Sequence, residues 1–241
     1  MAVEGLPEIE RGDDLGGLIG AAAAPIAGDV VVVSQKVVSK AEGRVVELAG
    51  VDPGGEASEL AIAHGKDPRI VELILRESRG VLRAERGVLI TETNCGWICA
   101  NAGIDSSNVR DGTVALLPED ADASARRLRD EIRAASGERP AVVVADSFGR
   151  AWRLGQADVA IGCAGLVALD DWRGRSDRGG RELVATAIAV ADQAASAADL
   201  VREKTSGVPA ALIRGLDRYV TAEDGPGAIS LQRPADEDLF R

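Results

Sequence analysis

Two short runs, the four valines at 30–33 and the Ala/Val stretch at 141–145, are wholly aliphatic, and each ends abruptly in polar residues. Runs of four or five aliphatic residues without polar alternation are strand-sized and suit strands buried on both faces. Polar groups at the end of such a strand leave the core on a rigid support. The chain must therefore fold so that Ser34-Gln35-Lys36 and Asp146-Ser147 emerge from a sheet.

The remaining pattern is mixed. Asp13 and Asp14 before Leu15, Leu18 and Ile19 read as a helix start, with carboxylates at the positive end of the dipole. Residues 36–48 read as two short strands around Glu42-Gly43, and 56–64 and 68–78 as helices. Residues 87–92 read as a strand. Residues 121–135 form an amphipathic helix pattern with Ala125, Leu128, Ile132 and Ala135 on one face. The strand at 141–145 is expected to stop at Asp146. A Gly-containing strand at 159–167, a long Ala-rich helix at 180–198 and a final strand at 208–213 complete the reading. The stretch 217–241, rich in Gly, Pro, Asp and Glu, is expected to be a loose tail. This irregular order of elements predicts an α+β fold rather than a repeated βαβ unit.

Composition removes several function classes. The net charge of −11 disfavours nucleic acid as a partner. No apolar run approaches the roughly 20 residues of a membrane span, and no basic leader precedes an apolar segment, so a cytoplasmic protein is expected. The three cysteines, Cys95, Cys99 and Cys163, and the lone His64 form neither a disulfide framework nor a zinc pattern. They read as buried, reduced thiols. One histidine also argues against a Ser-His-Asp or Cys-His unit.

Three polar clusters carry the chemistry. Ser34-Gln35-Lys36 with Ser39-Lys40-Ala41-Glu42-Gly43 combines mobile cations with small residues, which suits phosphate contact. Its glycine spacing is not that of a P-loop, and a solvated hairpin is the alternative. In the second cluster, 100–108, Asp105 and Asn108 offer hard oxygens in a Gly-bearing turn, which suits Mg²⁺ or Mn²⁺; a self-capped Asx turn is the alternative. In the third, Asp146 and Ser147 could hold a metal rigidly, while Arg150 and Arg153 could neutralise a transferring phosphoryl group. An N-cap aspartate with solvated arginines is the alternative there.

Taken together, the run 39–43, Asn101-Ala102-Gly103-Ile104-Asp105 with Ser107-Asn108, and Asp146-Ser147-Phe148-Gly149-Arg150 resemble the coenzyme F420:L-glutamate ligase family. Asp171-Trp172-Arg173-Gly174-Arg175, Gly180-Arg181-Glu182-Leu183, Val208-Pro209 and Arg214-Gly215 extend the resemblance to about Leu216. It implies an α+β fold of two lobes in an intertwined homodimer, with residues 1–216 as the ligase domain. It also implies GTP, two Mg²⁺ or Mn²⁺ ions, a potassium ion, and a coenzyme F420 precursor and L-glutamate as substrates. Residue by residue, Leu6, Pro7, Glu8, Ile9, Ser34, Gln35, Lys40 and Asn108 match nucleotide contacts, and Asp105, Asp146 and Ser147 match metal ligands.

The chain departs from the pattern in places. Cys95-Gly96 stands where His-Gly is common, and Ser147 where threonine is common. In the loop 202–207, Glu203 is the nearest candidate for the second metal's remaining ligand, and Lys204 for a phosphate contact. The last residues resemble the junction to a flavin-binding, nitroreductase-like domain found in some relatives; no flavin domain is expected here. Two other readings stay open: a different NTP-dependent carboxylate–amine ligase, and a non-catalytic GTP-binding protein.

Overall fold

The computed structural model of the protein describes residues 1–203 and 205–240. The chain begins with β1 (Ala2–Val3), α1 (Leu15–Ala23), β2 (Val30–Ser34), α2 (Gln35–Ala41) and β3 (Val45–Glu47). It continues through α3 (Gly55–His64), α4 (Pro68–Arg76), β4 (Ser78–Glu85), β5 (Val88–Thr93), β6 (Ile98–Ala100) and β7 (Thr113–Ala115). Then come α5 (Ala121–Ser136), β8 (Ala141–Arg150), β9 (Arg153–Ala164), β10 (Leu169–Asp171), β11 (Ala187–Ala189), α6 (Val190–Asp199) and β12 (Ala210–Ile213).

The architecture is mixed, with helices packed on several sheets. The principal sheet has the order β1-β12-β2-β8-β9. Its two aliphatic runs, β2 and β8, lie parallel, Val31 beside Val142 and Val33 beside Val144. All other neighbours are antiparallel. Side chains alternate along each strand. Val31, Val33, Val142 and Val144 pack on Leu15 and Ile19 of α1 and on Leu128 and Ile132 of α5. Val30, Val32, Val143 and Ala145 pack on Ala191 and Ala195 of α6. Both faces are covered, which is why these strands read as unbroken aliphatic runs.

A three-stranded sheet, β4-β5-β6, packs with α3 and α4 through Ala57, Ala61, Val71, Ile74 and Leu89. The pair β3–β7 covers a further core of Leu48, Val51, Leu73, Val114 and Leu116. The pair β10–β11 stands apart from these sheets. No helix among the described residues is long and apolar enough to cross a membrane.

Local chemistry starts the helices where the sequence predicts. The Asp14 carboxylate accepts the Gly17 N–H at 2.9 Å, and Asp120 accepts that of Ala123 at 2.8 Å. Helix α5 ends at Gly137, whose φ of 81° only glycine adopts freely.

Four expectations need correction. Residues 35–41 are helix rather than strand: Val38 and Ser39 are buried on one helical face, and only 45–47 pair as a strand. Strand β8 does not stop at Asp146 but continues to Arg150 as one arm of a hairpin with β9. The helix expected over 180–198 starts only at Val190, because the residues before it pair with β10 and because Asp177 Oδ1 caps the N–H groups of Gly179 and Arg181.

The stretch after Asp217 is not loose throughout. Tyr219 and Ala228 are buried, Arg129 donates to the Thr221 and Ala222 carbonyls, and Asp122 accepts the Ala228 N–H at 2.7 Å. Its polar composition concealed backbone groups that side chains of α5 satisfy. Leu239 and Phe240 are exposed.

Candidate functional site

Strand β2 ends at Ser34, beside Ala145 of its parallel neighbour β8, and β8 runs on to Arg150 with β9 alone. Ligands of such sheets bind outside the carboxyl ends of parallel strands. Asp146 follows Val142 and Val144 onto the face covered by α1 and α5, and Ser147 follows Val143 and Ala145 onto the α6 face. Just past the end of β2, strand β8 thus carries oxygen donors on both faces.

Asp146 is half-buried. Burial pushes its carboxyl up to about 7, aided by the charges of Asp158 and Asp105 and opposed by the Ser147 N–H and by Lys36. The Cys99 thiol of β6 lies near enough to feel Asp146; burial first, then that charge, pushes it up to about 12. Burial raises Cys163 likewise to about 12. Both are free, unreactive thiols, as the sequence suggests.

Asp105 arrives from a different element. Asn101 and Ala102, with φ of 53° and 54°, and then Gly103 at 68° turn the chain sharply after β6. Two non-glycine residues in this region store strain, which persists only where surrounding contacts hold it. Here the Ala102 N–H donates to buried Thr91 at 3.1 Å, and Asp105 exchanges backbone hydrogen bonds with Ala115 at 3.1 and 2.8 Å. Burial opposes the charge of Asp105. Hydrogen bonds from Lys36 and Ser107 outweigh it and hold the carboxyl below its usual range. Lys36 Nζ is 2.8 Å from Asp105 Oδ2 and 2.6 Å from Ser107 Oγ. Lys36, in the first turn of α2, belongs to the first polar cluster of the sequence, but its pairing with Asp105 of the second is not legible there.

The other expected residues divide into two groups. Lys40 stands at the end of α2 in an ion pair with Glu8. Leu6 packs on the core and Ile9 is buried, while Pro7 and Glu8 are exposed, so 6–9 lies alongside α2. The Ser34 N–H donates to the Pro209 carbonyl at 2.8 Å. Gln35 is buried and accepts from Ser39 at 2.9 Å, so its amide oxygen turns inward. Asn108 is exposed with φ 53°, three residues past Asp105.

Arg150 and Arg153 are not brought to Asp146. They lie on the exposed end of the β8–β9 hairpin, where Arg150 closes the turn by donating to Leu154 O at 2.7 Å. Four steps along the strand separate Arg150 from Asp146, roughly 13 Å. Glu203 is exposed, and its carbonyl accepts from Ser206 Oγ at 2.8 Å. Lys204 lies outside the described residues.

Among the described residues no three carboxylate, thiol or imidazole groups converge on one point. What is present is a set of hard oxygens, Asp146, Asp105 and the Ser147 hydroxyl, in which Asp105 also caps its own turn by accepting from the Ser107 N–H at 2.6 Å and Oγ at 2.8 Å, and Ser147 donates to Asp158. Burial, with the charges of Asp158 and Asp105, holds the proton on Asp146 well above the usual range even with Lys36 opposing it. That chemistry fits a hard divalent ion which takes its other ligands from phosphate oxygens and water. A separate cavity of about 240 Å³ is lined in part by Arg44, Glu77, Cys95, Trp97 and Glu119. Its one cation, Arg44, is already engaged by Glu77 at 2.6 Å and Glu119 at 3.3 Å, which makes it a poor second anion site.

A model of the F420-0:gamma-glutamyl ligase family matches residues 5–215. Among curated proteins, the coenzyme F420:L-glutamate ligase of Methanothermobacter thermautotrophicus is 42% identical over 247 residues, covering 100% of this chain and 98% of its own. That of Methanopyrus kandleri is 42% identical with the same coverage. That of Haloarcula marismortui is 44% identical over 100% of this chain and 95% of its own.

Proposed function

Because this chain belongs to the F420-0:gamma-glutamyl ligase family, we propose that it joins L-glutamate to a coenzyme F420 precursor at the expense of GTP, through an acyl phosphate. The observation that carries the proposal is that Asp105 and the end of β2 meet Asp146 where β8 runs on past its parallel neighbour β2, within the matched span. The terminal carboxylate of the precursor attacks the γ-phosphorus of GTP and releases GDP. The glutamate amine then displaces phosphate and leaves an amide; further glutamates are added through γ-linkages.

Two anionic reactants meet in the first step, so positive charge is needed. Asp105, Asp146 and Ser147 would hold one or both of two Mg²⁺ or Mn²⁺ ions, with Glu203 of the loop after α6 as the candidate for the second ion's remaining ligand. The ions, when bound, offset charge on phosphate and carboxylate. A potassium ion would add to that charge. Lys36 and Lys40, on successive turns of α2, face the same end of the sheet as Ser34 and suit phosphate contact. Residues 6–9 beside that helix and Asn108 beyond the Asp105 turn would add nucleotide contacts, and Gln35, buried at the start of the helix, would contribute through its backbone. Arg150 and Arg153 serve the transferring group only if the hairpin end meets a site other than its own chain's. That accords with the two-lobed, intertwined homodimer proposed for this chain.

The deciding experiment is mass spectrometry of a reaction containing GTP, Mn²⁺, glutamate and the glutamate-free precursor. A product heavier by one or more glutamyl units, requiring all four, is expected; none would refute the proposal. Asp105→Asn or Asp146→Asn is expected to lower turnover by at least ~10²-fold with circular dichroism unchanged. Retained activity in either would remove the metal role.

A further inference from the structure

Behind Ser147 lies a chain of buried polar contacts that the reaction scheme does not use. Ser147 Oγ donates to Asp158 Oδ1 at 2.6 Å, across the β8–β9 pair where these residues are directly opposed. Asp158 is 4% exposed, and its other carboxylate oxygen takes the guanidinium of Arg202, itself 6% exposed. The Asp158 carbonyl accepts from Ser196 Oγ of α6 at 2.8 Å. Arg202 also donates to the Pro209 carbonyl at 3.3 Å, the same carbonyl that takes the Ser34 N–H. Its Nε finds no acceptor among the described residues.

Buried ions are retained only where they are paired, and a fully buried Arg–Asp pair with one guanidinium nitrogen unmatched is a costly way to hold two strands together. The two residues are 44 positions apart. Their pairing nonetheless locks one hydroxyl, on the strand that carries Asp146, to the start of the loop that carries Glu203. A carboxylate that accepts from a metal-ligating group fixes its orientation and raises its donor strength.

We infer that Asp158 and Arg202 are positioning residues, which aim the Ser147 hydroxyl at the cation and clamp the loop after α6 against β9. This rests on the metal role proposed above for Ser147. Asp158 and Arg202 touch no reacting atom in that scheme. They act through Ser147 and through the backbone that Arg202 anchors.

The test is titration of Mn²⁺ in the presence of GDP, followed by the paramagnetic resonance signal of free Mn²⁺, on the full chain. It needs no turnover, so it decides this inference even if no glutamylated product forms. Asp158→Asn and Ser147→Ala are each expected to weaken Mn²⁺ binding about 10-fold or more. The double variant is expected to be no weaker than the worse single one, because both act on the same hydroxyl. Where Asp158→Asn alone does not fold, Asp158→Asn with Arg202→Gln removes both charges and leaves no uncompensated buried ion. That pair is expected to fold and to show the same loss. The inference is overturned if the losses from Asp158→Asn and Ser147→Ala multiply. It also fails if the Asp158 variants melt early yet bind Mn²⁺ like the parent, or if the parent binds none.

Discussion

At Asp146 a carboxyl group that ionises near pH 4 in water keeps its proton up to about pH 7. Its folded-state value exceeds its unfolded one, so the folded chain binds the extra proton. Stability therefore falls as pH rises from about 4 through 7 and stays lower above that. A neutral isostere escapes the cost. In the presence of chelator, Asp146→Asn is expected to be more stable than the parent at pH 8 by on the order of 3 kcal/mol, with the gap closing toward pH 4. Urea denaturation at both pH values measures this; a gap independent of pH would show that burial does not hold the proton. The aspartate itself was legible in the sequence, since it follows an aliphatic strand. Its electrostatics were not, because Asp105 and Asp158 approach it from other elements.

Among the elements, β9 shows how closely the sheet and its covering helix must meet. A Cβ added at Gly162 would lie 2.1 Å from the carbonyl oxygen of Ala121, at the start of α5. Backbone cannot yield that far without moving the strand. Gly162→Ala is expected to cost about 2–3 kcal/mol in chemical denaturation; a neutral result would mean that α5 is free to shift outward. Helix α5 was readable because its apolar period and caps are local. Helix α2 was misread because Val37-Val38 favour strand in isolation, and only packing of Val38 beneath the sheet decides for helix. The 180–198 reading failed for the converse reason: an Ala-rich stretch has helical propensity throughout, but strand pairing with β10 claims its middle.

For the whole molecule, the C-terminal stretch closes the core rather than trailing from it. Arg129, 1% exposed, donates to Pro140 O at 2.9 Å, to Ala222 O at 3.2 Å and to Asp224 at 2.7 Å. The Gly165 N–H donates to Asp224 O and the Thr221 N–H to Gly165 O, both at 2.8 Å, which lays this stretch on the end of β9. Ending the chain after Leu216 would take from Arg129 its carboxylate partner and the carbonyls of Thr221 and Ala222 that cover it. Removing one partner of a buried pair costs about 3–5 kcal/mol. The truncated chain is expected to lose at least that much in guanidinium denaturation. Recovery by Arg129→Met in the truncated chain would show that the unpaired charge is the cause.

The sequence by itself determined the aliphatic cores of β2 and β8, the capped helices α1 and α5 and the polar residues that follow the aliphatic runs, because apolar period and caps are local properties of a chain. Its motif order also identified the family. Tertiary structure alone decided which polar residues meet. The Lys36–Asp105 contact joins residues 69 positions apart, and Ser147, Asp158 and Arg202 form one buried network across three elements. Such pairs arise only when strands come into register and desolvate the groups between them, and no local pattern encodes that.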